Sequence, residues 1–418
     1  MRVSMSGQGK ALRGTPRTWW DNLRGPGAPA PAALALLVVS IAMYLMVRGL
    51  TRPSMVDLRV YRIEGAAVAG HADLYGPLPT PHGLAATYPP FAALLFTGLI
   101  LPPYEALRIA VIALNIVLLL AVAALSCRLV GVDGRRRATV VVTATALGIW
   151  AEPVFTTFRY GQINLALLAL VLWDFTRPPD ARTRGIGIGL AAGFKVTPAI
   201  FIAYLLLTRR FRAAAVSAAT FAATVAIGLA ALPDASRRFW TELLFDTDRV
   251  GRPENAANQS IQGLVVRISH TRDFAHVWLL LVAVAAVAGM ACAVFAYRRL
   301  GDRWGLPAVA VTGLIAAPIA WTHHWVWCVP IAVLLWADAR RWLAAAAIFW
   351  TFAVWAVPHA GSLELAFAPW QIALSAWYVL FGVGFLVLTA HLAHRAGPTA
   401  PGTPTPARSE TPAPVGPA

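Results

Sequence analysis

The sequence predicts an all-α, multi-spanning membrane protein, and three observations support this fold class. Of the 418 residues, 58% are hydrophobic and only 13% are charged. Apolar stretches recur at close to the ~20 residues that a helix needs to cross a bilayer. Basic residues between these stretches form clusters, as they do at the cytoplasmic ends of membrane helices. A soluble chain of this length would need far more charge to cover its surface.

The apolar runs predict about 10 transmembrane helices within a membrane domain at residues 31–395. A basic cytoplasmic arm at 1–30 precedes this domain, and a Pro/Thr/Ala-rich tail at 396–418, predicted to be disordered and cytoplasmic, follows it. The runs lie at 31–50, 104–128, 138–152, 162–176, 213–232, 276–297, 305–321, 325–337, 342–357 and 370–394.

The window 185–207 does not fit a simple span. Arginines stand at both of its ends, Arg184 and Arg209, and a polar break at Gly193–Pro198 divides it into two short apolar halves. This pattern predicts a broken or re-entrant helix pair, because irregular backbone is tolerated at membrane depth only where it lines protein or a wet cavity. One long helix with a proline kink is the alternative.

Charge sets the predicted orientation. If the N-terminal arm is cytoplasmic, the positive-inside rule is satisfied at every step. The clusters that then lie inside are Arg135-Arg136-Arg137, Arg182/Arg184, Arg209-Arg210/Arg212, Arg298-Arg299/Arg303 and Arg340-Arg341. The net charge of +16 is therefore a topological signature that attracts anionic lipid, and a nucleic-acid partner is not predicted. Long outer loops follow at about 51–103 and 233–275, and the first contains two predicted interfacial helices, at 57–69 and 89–101.

Asp57 is the most informative residue of these loops. It follows the first apolar run in the string Ser54-Met55-Val56-Asp57-Leu58, where the chain leaves the bilayer. An ionisable group at membrane depth is costly and therefore indicates a functional site. A carboxylate there suits a catalytic base that faces a lipid-borne substrate. The structural alternative is that Asp57 caps a helix starting at Leu58.

Other polar side chains gather at the predicted outer helix ends, and their convergence on one face predicts a site there. They are Arg59, Tyr61, Tyr88, Arg159, Gln162, Asn164, Asn258, Gln259, Arg267, His323 and His324. Lys195 lies centrally in the broken window and suits an anion such as phosphate, although a snorkelling lysine is the alternative. For one of the two histidines the alternative is an interfacial aromatic belt, because tryptophans flank the pair. No acidic cluster indicates a divalent metal.

A series of short motifs runs through residues 35–390 in one order. They are Asp57-Leu58-x-Val60-Tyr61, Gly70…Leu74-Tyr75, Tyr88-Pro89-Pro90, Gly161-Gln162-x-Asn164, Lys195-x-x-Pro198, Asn258-Gln259-Ser260-x-x-Gly263 with Arg267, and Trp321-x-His323-His324. In these motifs the chain resembles the actinobacterial polyprenol-phosphate-mannose-dependent α-(1→2)-mannosyltransferases, glycosyltransferase family 87, which have the GT-C membrane fold. The Lys195-Val196-Thr197-Pro198 segment matches the family's Lys-Pro-containing pattern only loosely.

The resemblance implies an active site on the outer face of the plasma membrane and an inverting transfer from a sugar β-linked to polyprenyl phosphate. It implies that the acceptor is a glycolipid or lipoglycan, that Asp57 is the general base, and that no cofactor is needed beyond the lipid-linked donor. Cations must hold the leaving phosphate, and the candidates are Lys195, Arg267, His323 and His324. The candidates for sugar and acceptor binding are Arg59, Tyr61, Tyr88, Arg159, Gln162, Asn164, Asn258 and Gln259.

Three alternatives remain open from the sequence. In the first, the protein has the same family architecture but its donor carries arabinofuranose rather than mannose. In the second, the protein is a transporter or flippase of lipid-linked sugars, which paired broken helices in inverted repeats would favour. Only one broken segment, 185–207, is found. The third, a non-catalytic membrane subunit, leaves the polar outer residues unexplained.

Overall fold

The computed structural model describes residues 29–273, 275–359 and 361–397. Apart from residues 29–30 and 396–397, the predicted basic arm at 1–30 and the predicted tail at 396–418 lie outside the described residues. No β-strand occurs in the described ranges, which confirms the all-α class. The α-helices of these ranges are α1 (Pro31–Thr51), α2 (Val56–Ala69), α3 (Pro90–Phe96), α4 (Tyr104–Leu129), α5 (Arg135–Gly148), α6 (Glu152–Tyr160), α7 (Asn164–Phe175), α8 (Ile186–Phe194), α9 (Ile200–Leu207), α10 (Phe211–Ala231), α11 (Pro233–Arg238), α12 (Ile261–Ser269), α13 (Ala275–Leu300), α14 (Asp302–Ala316), α15 (Cys328–Asp338), α16 (Pro369–Ser375) and α17 (Trp377–Arg395).

Five helices of the described residues are long and apolar enough to cross a membrane: α1, α4, α10, α13 and α17. Helices α5 and α6 make a sixth candidate when they are taken as one span bent by 67°. These helices fit a multi-pass membrane protein. The apolar runs at 162–176, 305–321 and 325–337 form shorter helices, α7, α14 and α15, with axial lengths of about 17–23 Å.

The predicted run at 342–357 is not one α-helix in the structure. Residues Arg340–Trp350 wind as a 3-10 helix, and a second 3-10 turn follows at Ala353–Ala356. Phe352 separates the two with a left-handed backbone conformation, φ 53°, which interrupts any continuous helix. Its apolar composition predicted a transmembrane helix, but composition alone does not show where the backbone breaks.

The window 185–207 is broken as the sequence predicts. Helix α8 ends at Phe194, Lys195 is extended, and a 3-10 turn at Thr197–Ala199 leads into α9. Both ends of the window meet at a single carboxylate, because Arg184 and Arg210 lie 3.7 and 2.6 Å from the same oxygen of Asp302. The segment therefore turns back on itself, with Lys195 near its far end.

Helix α2 begins immediately after α1, and this turn places Asp57. Arg52 and Met55 both adopt left-handed backbone conformations, with φ of 42° and 50°. The helix starts at Val56, so Asp57 lies inside its first turn and makes no capping hydrogen bond. The structural alternative for Asp57, an N-cap, is therefore wrong. Helix α2 ends at Ala69, as predicted for 57–69, and the predicted 89–101 helix forms as α3 and a 3-10 turn at Thr97–Ile100.

Close packing fixes α2 against the end of α3. A Cβ on Gly65 would lie 2.2 Å from the Phe96 carbonyl oxygen, so only glycine permits this approach. On the same side, the rings of Tyr61 and Phe96 stack with centroids 4.6 Å apart. The ring of Tyr88 meets both at steep angles, with centroids 5.1 and 5.6 Å away. The aromatic cluster of Tyr61, Tyr88 and Phe96 thus forms a rigid support beside Asp57.

Candidate active site

A cavity of about 780 Å³ opens beside the first turn of α2. Its walls come from α2, the loop before α3, the end of α6, the break between α8 and α9, and the loops around residues 246–257, 317–324 and 355–359. The polar and aromatic side chains on these walls include Asp57, Tyr61, Tyr88, Arg159, Tyr160, Gln162, Lys195, Arg249, Trp321, His323, His324, Trp355 and His359.

On one wall, two tyrosines and a glutamine hold one another in place. The Tyr61 hydroxyl donates to Gln162 Oε1 at 2.7 Å, and the Tyr88 hydroxyl lies 2.7 Å from the Tyr61 hydroxyl. The Tyr88 hydroxyl is also 3.2 Å from the same Oε1, and its single proton serves either this oxygen or the Tyr61 hydroxyl. Because Oε1 is occupied as an acceptor, the other end of the amide, Nε2, is the donor that faces the Asp57 carboxylate.

Asp57 is an unusually basic carboxylate. The surrounding protein desolvates it strongly, although part of its surface remains open to the cavity. Burial raises the pKa of Asp57 to about 6, and the Gln162 amide and the Lys195 charge partly oppose this rise. A carboxylate with such a pKa is still mostly ionised at neutral pH, and it binds a proton more readily than an ordinary aspartate does.

Lys195 and His324 form a second polar pair in the cavity lining. Lys195 Nζ lies 2.9 Å from His324 Nε2 and 5.6 Å from the centroid of the Tyr88 ring. A lysine ammonium has donors only, so Nε2 of His324 accepts and the imidazole is neutral with its proton on Nδ1. His324 thus orients the lysine, while the remaining ammonium hydrogens are available to a ligand.

His323 plays a different part from His324. Its carbonyl accepts from Asn164 Nδ2 at 2.9 Å and from Thr157 Oγ1 at 3.3 Å, which fixes the backbone of this loop. Its ring packs edge-on against Tyr160, with centroids 5.6 Å apart. The ring nitrogen Nε2 is buried and has no hydrogen-bond partner among the described residues. The ring of His323 belongs to the cavity lining, but protein atoms cover this nitrogen and keep it from a ligand.

Arg59 apart, four of the predicted site residues lie outside this cavity and stabilise the neighbouring loops instead, and one of them is Asn164, which donates to the His323 carbonyl. The fully buried Arg267 donates to the carbonyls of Glu254, Asn255, Asn258 and Ser375. Asn258 and Gln259 are also fully buried and hydrogen-bonded to backbone groups at both ends of their amides. These contacts tie the loop near 258 to the segment that precedes His323, through Gln259 N to Ala320 O at 2.7 Å.

The two arginines predicted to bind sugar or acceptor, Arg59 and Arg159, lie at different places in the structure. Arg159 is exposed at the mouth of the cavity, with its guanidinium 5.9 Å from the Tyr160 ring. Arg59 lies on the other face of α2 from Asp57 and lines a different cavity. At about 3.6 residues per turn, a separation of two residues places their side chains on opposite sides of the helix.

The sequence did not identify several residues on the cavity wall. Tyr160 directly precedes the Gly161-Gln162 motif, so its position along the chain was a usable signal. Arg249, Trp355 and His359 lie in loops with no local pattern, and only the tertiary fold brings them to the cavity. Arg249 is held by the Leu243 and Ala86 carbonyls, which attaches the loop near 249 to the loop before α3.

Comparison with known proteins identifies the chain's relatives. The sequence model of glycosyltransferase family 87 matches residues 86–322, which include Gln162, Lys195 and His323 but not Asp57. The chain belongs to glycosyltransferase family 87. This match confirms the resemblance drawn from the motifs, and it makes the protein a glycosyltransferase. No solved structure matches the chain.

Curated relatives of this family 87 protein come from mycobacteria. A polyprenol-phosphate-mannose-dependent alpha-(1-2)-phosphatidylinositol pentamannoside mannosyltransferase of Mycobacterium tuberculosis is 37% identical over 383 residues, covering 87% of this chain and 86% of the relative. The protein of the same description from Mycolicibacterium smegmatis is 39% identical, over 75% of this chain and 79% of its own. A phosphatidylinositol mannoside mannosyltransferase of M. tuberculosis is 34% identical, over 68% and 70%.

Proposed function

We propose that this glycosyltransferase moves mannose from a polyprenyl-phosphate-mannose donor to a phosphatidylinositol mannoside or related envelope glycolipid, and forms an α-1,2 linkage with inversion. The observation that carries the proposal is that one cavity holds a desolvated carboxylate, Asp57, together with the Lys195 ammonium and its hydrogen-bond partner His324. The descriptions of the mycobacterial relatives supply the donor and the acceptor class.

Asp57 acts as the general base in this proposal. Its ionised carboxylate takes the proton of the acceptor hydroxyl while that oxygen forms the new bond to the anomeric carbon. Burial raises the pKa of Asp57 to about 6, which improves its proton affinity without keeping it protonated at neutral pH. The Gln162 amide orients the carboxylate, and Tyr61 and Tyr88 in turn hold Gln162.

Lys195 receives the leaving group. As the bond between the anomeric carbon and the phosphate oxygen breaks, that oxygen keeps the electron pair, and negative charge grows on the polyprenyl phosphate. A preorganised ammonium in a partly desolvated site stabilises such developing charge. His324 accepts one hydrogen of Lys195 and leaves the others directed at the phosphate. Arg159 at the rim is the further donor that we assign to donor and acceptor hydroxyl groups, and His323 contributes its ring to the cavity lining.

The proposed orientation places this cavity on the outer face of the plasma membrane and both termini in the cytoplasm. The positive-inside rule supports it, because the five arginine clusters named in the sequence analysis then lie inside. Arg184, Arg210 and Asp302 form one cluster where the two ends of the 185–207 window meet. Lys195 lies at the break between the two halves of the window, away from that cluster. In this arrangement the window enters from the cytoplasmic side and returns. The shorter helices α7, α14 and α15 would complete the predicted set of about 10 spans as tilted or partial crossings.

Transfer of radiolabelled mannose from polyprenyl-phosphate mannose to endogenous glycolipid in membranes tests the function. Wild type should transfer the label, whereas Asp57→Asn and Asp57→Ala should each lose at least about 100-fold in rate, because a positioned general base contributes roughly 10²–10⁴-fold. Asp234→Asn is the matched control, since Asp234 is exposed and lies outside the cavity.

Undiminished transfer by both folded Asp57 variants would overturn the general-base assignment. Transfer from decaprenyl-phosphate arabinofuranose but not from the mannose donor would replace the donor sugar. The absence of transfer by wild type with either donor would overturn the proposed function itself.

A further inference from the structure

A second, separate cavity lies on the face of α2 that points away from Asp57. Its volume is about 550 Å³, and it is lined by Arg59, Arg62, Ile63, Tyr104 and residues 79–81. It shares no lining residue with the cavity of the candidate active site. No acidic side chain lines it, so the charge at its surface is positive.

Three guanidinium groups gather around one ring at this place. The guanidinium carbons of Arg59, Arg62 and Arg108 lie 5.2, 5.8 and 5.9 Å from the centroid of the Tyr104 ring. Arg108 is neutralised by Glu105, at 2.7 Å. The other two positive charges have no ion-pair partner among the described residues.

The hydrogen bonds of the two unpaired arginines leave most of their donors free. Arg59 uses only Nε, which donates to the Tyr104 hydroxyl at 3.3 Å, and Arg62 uses Nη2, which donates to the Ile100 carbonyl at 3.3 Å. The described residues offer no further partner to either guanidinium. Two like charges that share one ring repel each other, and cation–π attraction at an exposed site recovers little of this cost. An anion between them would relieve the repulsion and accept the free N–H groups.

The position of the cavity indicates what kind of anion it receives. Tyr104 is the first residue of α4, one of the helices long and apolar enough to cross a membrane. Close to Tyr104 along the chain, Leu101 and Ile109 expose 83% and 69% of their surfaces. Cationic groups therefore lie at the polar end of a membrane-length helix whose first turns carry exposed apolar side chains that acyl chains would cover.

We propose that Arg59, Arg62 and Tyr104 form an accessory binding site for the phosphate of an anionic glycerophospholipid, whose acyl chains run along Leu101 and Ile109. Bidentate guanidinium–phosphate contacts suit this headgroup, and free inorganic phosphate would gain nothing from the apolar surface. The site is independent of the proposed transfer reaction. It anchors the face of α2 opposite Asp57 to the bilayer, and so holds the helix that carries Asp57.

Native mass spectrometry of the full chain in neutral detergent tests the site. The probes are phosphatidylglycerol and phosphatidylcholine with identical acyl chains. Wild type should bind the first phosphatidylglycerol molecule preferentially, and Arg59→Gln with Arg62→Gln should weaken that binding roughly 10- to 30-fold while phosphatidylcholine binding is unchanged. The matched control removes two exposed arginines outside the cavity, through Arg52→Gln with Arg237→Gln, and should bind as wild type does.

A second variant adds charge without removing an arginine. Thr80→Glu places a carboxylate on the cavity lining, where it repels the lipid phosphate and pairs with the arginines, so phosphatidylglycerol binding should fall to a similar extent. This variant keeps the test decisive if the double arginine variant does not fold. Wild-type affinity in Thr80→Glu, or an equal loss in the control pair, would overturn the site. Displacement of the lipid by millimolar inorganic phosphate would show that a free anion is the ligand, which also contradicts the proposal.

Discussion

At the scale of single residues, the general-base role proposed for Asp57 makes two opposing demands on its carboxylate. It has to remain ionised at neutral pH, and it has to bind a proton strongly when the acceptor hydroxyl reacts. Burial raises the pKa of Asp57, and the Gln162 amide with the Lys195 charge limits the rise to about 6. The balance lies between a burial cost that favours the neutral acid and a hydrogen bond that favours the carboxylate.

A pH dependence follows from this balance. Only the ionised form of Asp57 is a base, so kcat/KM should rise as the pH passes through about 6 and level off above about 7. In Gln162→Leu the carboxylate loses a hydrogen bond that stabilises its charged form, so the midpoint should move upward by about one pH unit. Rate measurements from pH 5 to 8 with the mannose donor show both effects.

The control for this shift is the same substitution at another buried glutamine. Gln262 is buried in α12, outside the cavity, so Gln262→Leu should leave the midpoint where wild type has it. If Gln162→Leu kept the wild-type midpoint, or lowered it, then the Gln162 amide would not be the group that tunes Asp57.

Lys195 gives the second prediction at this scale. Its ammonium is held by His324 and faces the proposed phosphate, so Lys195→Gln should weaken the binding of polyprenyl phosphate, the proposed product, by about 10- to 100-fold. Equilibrium binding of radiolabelled polyprenyl phosphate measures this without turnover. Asp57→Asn is the comparison variant and should retain product binding, because Asp57 faces the acceptor. An equal loss in both variants would contradict the division of roles between Asp57 and Lys195.

At the scale of elements, the turn after α6 decides whether Gln162 meets Asp57. Gly161 has φ +74°, and a Cβ there would lie 2.8 Å from Leu58 Cβ and 2.9 Å from Met55 Cε. The chain can therefore reverse and touch the start of α2 only if residue 161 is glycine. This explains why a glycine precedes the glutamine in the Gly161-Gln162-x-Asn164 motif: it brings the amide to the carboxylate.

Gly161→Ala should cost about 2–4 kcal/mol of unfolding free energy, from the left-handed backbone and the contact with α2 together. Gly131→Ala is the matched control, since Gly131 has the same φ of +74° but nothing lies within 4 Å of its Cβ position. The control should lose only the backbone part, about 1–2 kcal/mol. Thermal unfolding of both variants in detergent measures the difference. Equal losses would mean that packing against α2 contributes nothing at this position.

At the scale of the whole molecule, the sequence predicted the class of protein correctly, but it did not show which polar residues line the cavity and which stabilise loops. Hydropathy and arginine clusters follow directly from the bilayer, which is why the all-α membrane class and the break at 195–198 were predicted correctly. The sequence could not show that Arg267, Asn258 and Gln259 bind backbone groups of the loops rather than a substrate. Long loops contain many backbone carbonyls without helical partners, and these carbonyls need donors as much as a substrate does. Only the tertiary structure shows whether a given side chain binds a backbone carbonyl or faces the cavity.

Cysteine labelling tests the orientation that the charge pattern predicts. A cysteine at exposed Ala72, in the loop after α2, should react with an impermeant maleimide in intact cells, since that loop is on the side of the Asp57 cavity. A cysteine at exposed Arg182, in the loop before α8, should react only after lysis. The background for both lacks the native residues Cys127, Cys292 and Cys328, and it should stay unlabelled. Labelling of Arg182→Cys but not Ala72→Cys in intact cells would invert the topology and place the carboxylate in the cytoplasm, where the proposed outer-face transfer has no site.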